Sequence, residues 1–195
     1  MTSRYLVTIG LEIHLTLRTT RKAFCGCAAS HTAEPNTLVC PVCKGEGGSA
    51  PQLNMDAFFM AAAAGIVLGC RINRESWFDR KFYDAPDLPK GYQITQHEKP
   101  VAVNGGVTLH YETLSVTVPI RQVHMEEDAG KTYGTGNPPP IDYNRAGMPL
   151  AEIVTEPIEA TGEIISDCVK KISRDHADLP SFGRSDERGV FKMRC

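Results

Sequence analysis

Four cysteines stand in two close pairs, Cys25-Gly26-Cys27 and Cys40-Pro41-Val42-Cys43, with twelve residues between the pairs. Zinc takes four thiolate ligands at tetrahedral corners, and two short turns can bring such pairs together. The spacing points to a structural Zn2+ site held by Cys25, Cys27, Cys40 and Cys43. A closed four-cysteine site stabilises a fold and does no catalysis. Two disulfides or four buried thiols are the alternatives. The chain has seven cysteines, an odd number that suits a closed disulfide framework poorly. The Gly/Pro-rich surroundings argue against core packing. Cys70 and Cys168 read as small buried hydrophobes.

The second candidate constellation is acidic. Glu12 and His14 share one face of a period-two segment, about 7 Å apart along a strand. A second group is His124-Met125-Glu126-Glu127-Asp128, and a third is Glu152, with Glu156 a turn beyond. Carboxylates gathered on one sheet repel unless a cation neutralises them. Hard cations such as Mg2+ take oxygen ligands, commonly one or two carboxylates beside a phosphate. That is the physical reason to expect a magnesium-nucleotide site. The plainer reading of Glu-Glu-Asp is a solvated face. Phe78-Asp79-Arg80-Lys81 and Lys90-Gly91-Tyr92-Gln93 put basic groups beside aromatics and glycine, suited to phosphates or a tRNA 3′ end. A charged surface loop is the alternative. No Walker A or kinase-type glycine loop is present, so any nucleotide site is of another kind.

These residues need elements to hold them. Tyr5 to Leu17 alternates as one strand, with Tyr5, Val7, Ile9, Leu11, Ile13, Leu15 and Leu17 on its apolar face. Residues 24–51 read as a metal-stapled excursion. Asn54 can cap a helix from Met55 to Leu68, with Gly69 as its stop. Residues 76–96 read as a functional loop. Asn104-Gly105-Gly106 signals a hairpin between strands near 100–103 and 107–112. Further strands are expected at 114–125 and 150–154, with Glu152 and Glu156 on a common face. Ile164, Ile165, Cys168, Val169 and Ile172 recur at helical spacing, so 161–176 is an amphipathic helix. Residues 190–195 look like the start of a strand. The expected fold class is α+β, a mixed, mainly antiparallel sheet with helices and a zinc-stapled insertion.

Composition narrows the function classes. Among 195 residues, 42% are hydrophobic and 23% charged, enough for a packed core and a solvated surface. The net charge of −2 excludes a general polyanion binder, so any RNA contact needs a local basic patch or another part of the molecule. No secretory pattern opens the chain and no apolar run is long enough for a bilayer, so the expected location is cytoplasmic, with no membrane.

Several ordered blocks resemble one family. Gly10-Leu11-Glu12-Ile13-His14 looks like the opening motif of the B subunits of tRNA-dependent amidotransferases. Ala33-Glu34-Pro35-Asn36-Thr37 with Cys40-Pro41-Val42-Cys43 is similar to that family's zinc segment. Phe78-Asp79-Arg80-Lys81, then 86–94, 124–131, Asp142-Tyr143-Asn144-Arg145 and 149–157 follow in order. The resemblance is strong over residues 5–157. It implies a ligase activity: ATP phosphorylates the side-chain carboxylate of Glu-tRNA(Gln) or Asp-tRNA(Asn), and ammonia displaces the phosphate. It implies two partners in a heterotrimer, an amidase that supplies ammonia (the A subunit) and a small protein that clasps the assembly (the C subunit), and a misacylated tRNA as substrate.

Carried over, it implies magnesium ligands Glu12, His14, Glu126, Glu127 and Glu152, with Lys81, Lys90 and Arg145 near phosphate or the tRNA acceptor end. The implied fold is a cradle resembling glutamine synthetase catalytic domains. Residues 1–195 would be its N-terminal part, without the helical tRNA-binding tail that family members carry. Two stretches depart from the pattern. Phe82-Tyr83-Asp84-Ala85 replaces the usual Asn-Tyr-Phe-Tyr, and residues 45–51 alter the glycine-proline stretch after the zinc segment. A zinc-stapled RNA-binding or assembly module without catalysis is the competing reading. It has no need of converging acids. A degenerate remnant that folds poorly is a third.

Overall fold

The computed structural model describes residues 7–30 and 32–177. Tyr5, the segment 190–195 and Cys195 lie outside them. In chain order the elements are β1 (Thr8–Ile9), β2 (Glu12–Thr16), α1 (Pro41–Lys44) and α2 (Met55–Val67). Then come β3 (Arg71–Ile72), β4 (Asp79–Phe82), β5 (Tyr92–Thr95), β6 (Ala102–His110) and β7 (Ser115–Glu127). The rest are β8 (Lys131–Thr132), β9 (Ile141–Asp142), β10 (Pro149–Thr155), β11 (Ile158–Glu159) and α3 (Gly162–Ala177).

The central sheet has strand order β2-β10-β7-β6-β3, and each of its pairings is antiparallel. Its core face carries Ile13, Ala151, Ile153, Val123 and Met125, all nearly inaccessible. The helix α2 packs on this sheet, and α3 packs beside it against β6. The small residues of α2 explain how closely it approaches. Ala57, Ala61, Ala64 and Gly65 are its buried positions, and a Cβ on Gly65 would lie 2.5 Å from the Ala102 Cβ. Asn54 caps α2, its side chain accepting from the Asp56 N–H, and Gly69 follows in the left-handed region. Ile165, Cys168, Ile172 and His176 form the buried stripe of α3. The α+β class with a mainly antiparallel sheet is as the sequence led one to expect.

Three expectations need correction. The first strand is two strands: β1 pairs with β11 and β2 with β10, with Gly10 and Leu11 between them. Residues 76–96 are not simply a loop, since β4 and β5 form an antiparallel ribbon joined by residues 83–91. Asn104-Gly105-Gly106 is not a hairpin turn but the middle of β6. The glycines serve a close approach instead. A Cβ on Gly105 would meet Cys70 Sγ at 2.4 Å and Leu68 O at 2.5 Å, and the Gly106 N–H donates to Leu68 O. The turn lies later, where the Tyr111 N–H donates to Leu114 O between β6 and β7.

Candidate functional site

Register builds the acidic site. β10 lies between β2 and β7, and Glu152 stands opposite His14 on one side and His124 on the other. Directly opposed residues share a face, so these three side chains form one row across the sheet. Glu126 is two residues from His124 along β7 and therefore joins that face. The ligand atoms of His14, Glu126 and Glu152 all lie within 4.8 Å of one another. His124 Nε2 lies 3.1 Å from Glu152 Oε2 and 3.4 Å from Glu126 Oε1.

The ribbon β4–β5 braces the row from the side. Thr95 donates its hydroxyl to Glu126 Oε1 at 2.8 Å, and Gln93 Nε2 donates to Glu126 Oε2 at 3.2 Å. Lys81 is opposite Gln93 in the ribbon and so shares its face. A hydrogen bond with Tyr83 is the main cause that raises the Lys81 pKa. Partial burial opposes it, and the charges of Glu126 and Glu152 add to it.

The histidines are tuned by the acids. Burial works against a charged His124, but hydrogen bonds and charges from Glu126 and Glu152 outweigh it and lift its pKa to about 9. His14 is raised as well, first by its hydrogen bond to Glu152. Burial of Glu152 is overcome by hydrogen bonds from His124 and His14, which hold its carboxyl below the usual range. Two carboxylates and an imidazole facing one point suit a divalent cation that keeps waters and phosphates as its other ligands.

The other expected site residues are placed differently. Glu12 is exposed at the start of β2, outside the converging group. Glu127 follows Glu126 on the strand and points to the opposite face. There it pairs with Lys90, accepts the Ile94 N–H at 2.9 Å and is almost fully buried. Burial raises the Glu127 pKa, and Lys90 opposes that shift. Arg145 makes a two-pronged ion pair with Asp128. Lys90 and Arg145 are thus engaged with carboxylates. Glu156, expected on the face of Glu152, lies past a register shift between Val154 and Thr155 and pairs with Arg121 at the surface. His124 joins the row although the sequence does not single it out as a ligand. A signal is present, because His124 and Glu126 stand at the same i, i+2 spacing as Glu12 and His14.

The four-cysteine site is assembled by loops and one short helix. Cys40 is the N-cap of α1 and Cys43 lies within it, and Gly45 closes it at φ 69°. Sulfur–sulfur distances are 3.4 Å for Cys25–Cys43, 3.7 Å for Cys40–Cys43 and 3.7 Å for Cys27–Cys43. Four sulfurs about 2.3 Å from one zinc would be about 3.8 Å apart, so the cluster can hold zinc with little adjustment. Among the described residues no cysteine is in a disulfide. Cys70 and Cys168 are buried, and burial pushes both thiols up to about 11. Among the described residues no helix is long and apolar enough to cross a membrane.

Residues 7–194 match the family described as the GatB/GatE catalytic domain. Similar proteins include the B subunit of aspartyl/glutamyl-tRNA(Asn/Gln) amidotransferase from Persephonella marina, 50% identical over 149 residues, covering 76% of this chain and 31% of that protein. The protein of the same name from Clostridium tetani is 46% identical over 188 residues, 96% of this chain and 39% of that protein. That from Geotalea uraniireducens is 42% identical, covering 97% of this chain and 40% of that protein. The chain therefore spans well under half the length of these relatives.

Proposed function

The chain belongs to the GatB/GatE catalytic domain family, and from that premise we propose that it is the N-terminal cradle portion of the B subunit of a tRNA-dependent amidotransferase. The reaction has two steps. A side-chain carboxylate oxygen of Glu-tRNA(Gln) or Asp-tRNA(Asn) attacks the γ-phosphorus of ATP, and ADP leaves. Ammonia then attacks the acyl carbon, phosphate leaves, and the amide remains. The first step is needed because a carboxylate is a poor electrophile and an acyl phosphate carries a good leaving group. Ammonia comes from a partner amidase, and a small third protein completes a cytoplasmic heterotrimer. tRNA is gripped mainly by regions beyond residues 1–195.

The observation that carries this reading is the convergence of His14, Glu126 and Glu152 on three strands. His14, Glu126 and Glu152 would hold magnesium there, and it would offset the charge that develops in phosphoryl transfer. The chain's own groups prepare that place. Thr95 and Gln93 fix the two oxygens of Glu126, and His124 fixes Glu152. Lys81, on the ribbon beside them, faces the incoming phosphate. Lys90 and Arg145 serve the site from its edge, holding Glu127 and Asp128. Glu12, two residues before His14 on β2, stays exposed at the edge of that group. Zinc at the four cysteines is structural.

The test is difference density in crystals of the intact complex soaked with manganese and a non-hydrolysable ATP analogue. A cation enclosed by His14, Glu126 and Glu152 with phosphate beside Lys81 is the expected result. Dispersed carboxylates without a cation, and zinc alone at the cysteines, would leave the assembly-module reading instead.

A further inference from the structure

Lys22 is the most unusual side chain outside the acidic site. It is 0% exposed and among the largest fully buried side chains of the described residues. A buried ammonium is costly unless it finds an anion and hydrogen-bond acceptors. Among the described residues Lys22 has no carboxylate within ion-pair distance. Its Nζ donates instead to Tyr143 O at 3.3 Å and to Cys43 Sγ at 3.6 Å. Neighbouring backbone locks it there. The Lys22 N–H donates to Cys27 O, and the Lys22 carbonyl accepts from Asn54 Nδ2. Its stem also lies against Gly147, where a Cβ would be 3.4 Å from Lys22 Cδ. The residue is fixed at both ends, with its charge aimed at one sulfur.

Zinc bound by four thiolates carries a net charge of −2, and its sulfurs remain acceptors for outer donors. We propose that Lys22 is the built-in counter-charge of the metal staple, donating an N–H···S hydrogen bond to the Cys43 thiolate and binding that cluster to the Tyr143 turn. This rests on the four cysteines holding a tetrahedral cation. The arrangement explains both oddities together. The buried lysine gains its anion from the cluster, and the cluster loses half of its excess charge to the lysine. Lys22 is then a positioning residue for the zinc site and takes no part in phosphoryl transfer. An outer partner of this kind sets how tightly the metal is held and how nucleophilic its sulfur remains.

The experiment compares the unaltered intact protein with Lys22→Met, which keeps the apolar stem, and Lys22→Gln, which keeps an N–H donor without the charge. Zinc affinity is measured by competition with a chromogenic chelator, and the cobalt-substituted forms are compared by their sulfur-to-metal charge-transfer bands. Lys22→Met should bind zinc roughly 10- to 100-fold more weakly, with a shifted charge-transfer band, and Lys22→Gln should fall between. Equal affinity and an unmoved band in a folded variant would overturn the proposal. Should both variants fail to fold, the unaltered protein still decides. With 15N-labelled lysine, cobalt should shift one protected ammonium signal strongly, and no metal-sensitive lysine signal would overturn the idea. A protein that takes up no zinc at all would remove the premise and the proposal together.

Discussion

Cys25, Cys27, Cys40 and Cys43 come from one stretch of nineteen residues, whereas His14, Glu126 and Glu152 are spread over 139 positions. The cysteines sit on loops and a single-turn helix, and their geometry would be set by the cation they share. The histidine and carboxylates sit on three neighbouring strands, and sheet register sets their geometry. A locally built site depends on its metal for order. A register-built site exists before any metal arrives, because the hydrophobic face beneath it fixes which residues point up. The first should therefore fail as a stability defect and the second as a chemical one.

Breaking the staple should give the largest effect. Cys43→Ser removes the sulfur that lies against all three others. Zinc content should fall to near zero, with a loss of several kcal/mol of stability in the 24–51 segment. Protease sensitivity there, with zinc content by mass spectrometry, is the check. A variant that keeps its zinc and its melting temperature would dissolve the contrast.

Glu152→Gln attacks the other region. It is nearly isosteric and sits in the middle of β10, so the sheet should form and zinc content should not change. Glu-tRNA-dependent ATP hydrolysis by the intact complex should drop on the order of 100- to 1000-fold. Loss of zinc in this variant would mean that the two regions are not separable. Lys81→Ala should slow the same turnover by a smaller factor, on the order of 10-fold, and ATP hydrolysis at the unaltered rate would sink its phosphate role.

The acidic row also makes a pH prediction for magnesium-free protein with its zinc retained. The folded His124 pKa, about 9, lies above its unfolded value of 6.5. Its contribution to stability is thus fully present below about pH 6.5 and is lost as pH rises through about 9. The amount is on the order of 3 kcal/mol or less. Thermal melts across this window should show the decline, and His124→Gln should flatten it. An equally steep fall in the variant would place the titration elsewhere.

The same contrast explains what could be read from the chain. The cysteine set was legible because its ligands are neighbours, and α2 was legible from Asn54 at its start and Gly69 at its end. His14 and Glu152 stand out as letters, but their pairing depends on register between strands that no local window contains. Glu126 and Glu127 look equivalent in the sequence. Period two separates them, one to the acid row and the other to Lys90 beneath. Gly105 and Gly106 carry a turn signal because glycine has two uses, and only the packed end of α2 reveals that the use here is close approach. Lys22 gives no signal at all, since a lysine next to a cysteine segment reads as surface until the fold buries it.

Glu156 offers the smallest effect and the finest test of the comparison. By strand alternation it shares a face with Glu152, four positions earlier. The register shift after Val154 cancels that alternation, and Glu156 meets Arg121 at the surface instead. Arg121 holds its carboxyl below the usual range, but both groups are open to solvent, where such pairs add little. Glu156→Gln should leave zinc content, melting temperature and tRNA-dependent ATP hydrolysis within error of the unaltered protein, measured beside Glu152→Gln. A loss of hydrolysis approaching that of Glu152→Gln would mean that the strand keeps its alternation through residue 156. The acid row would then extend one residue further than the register allows.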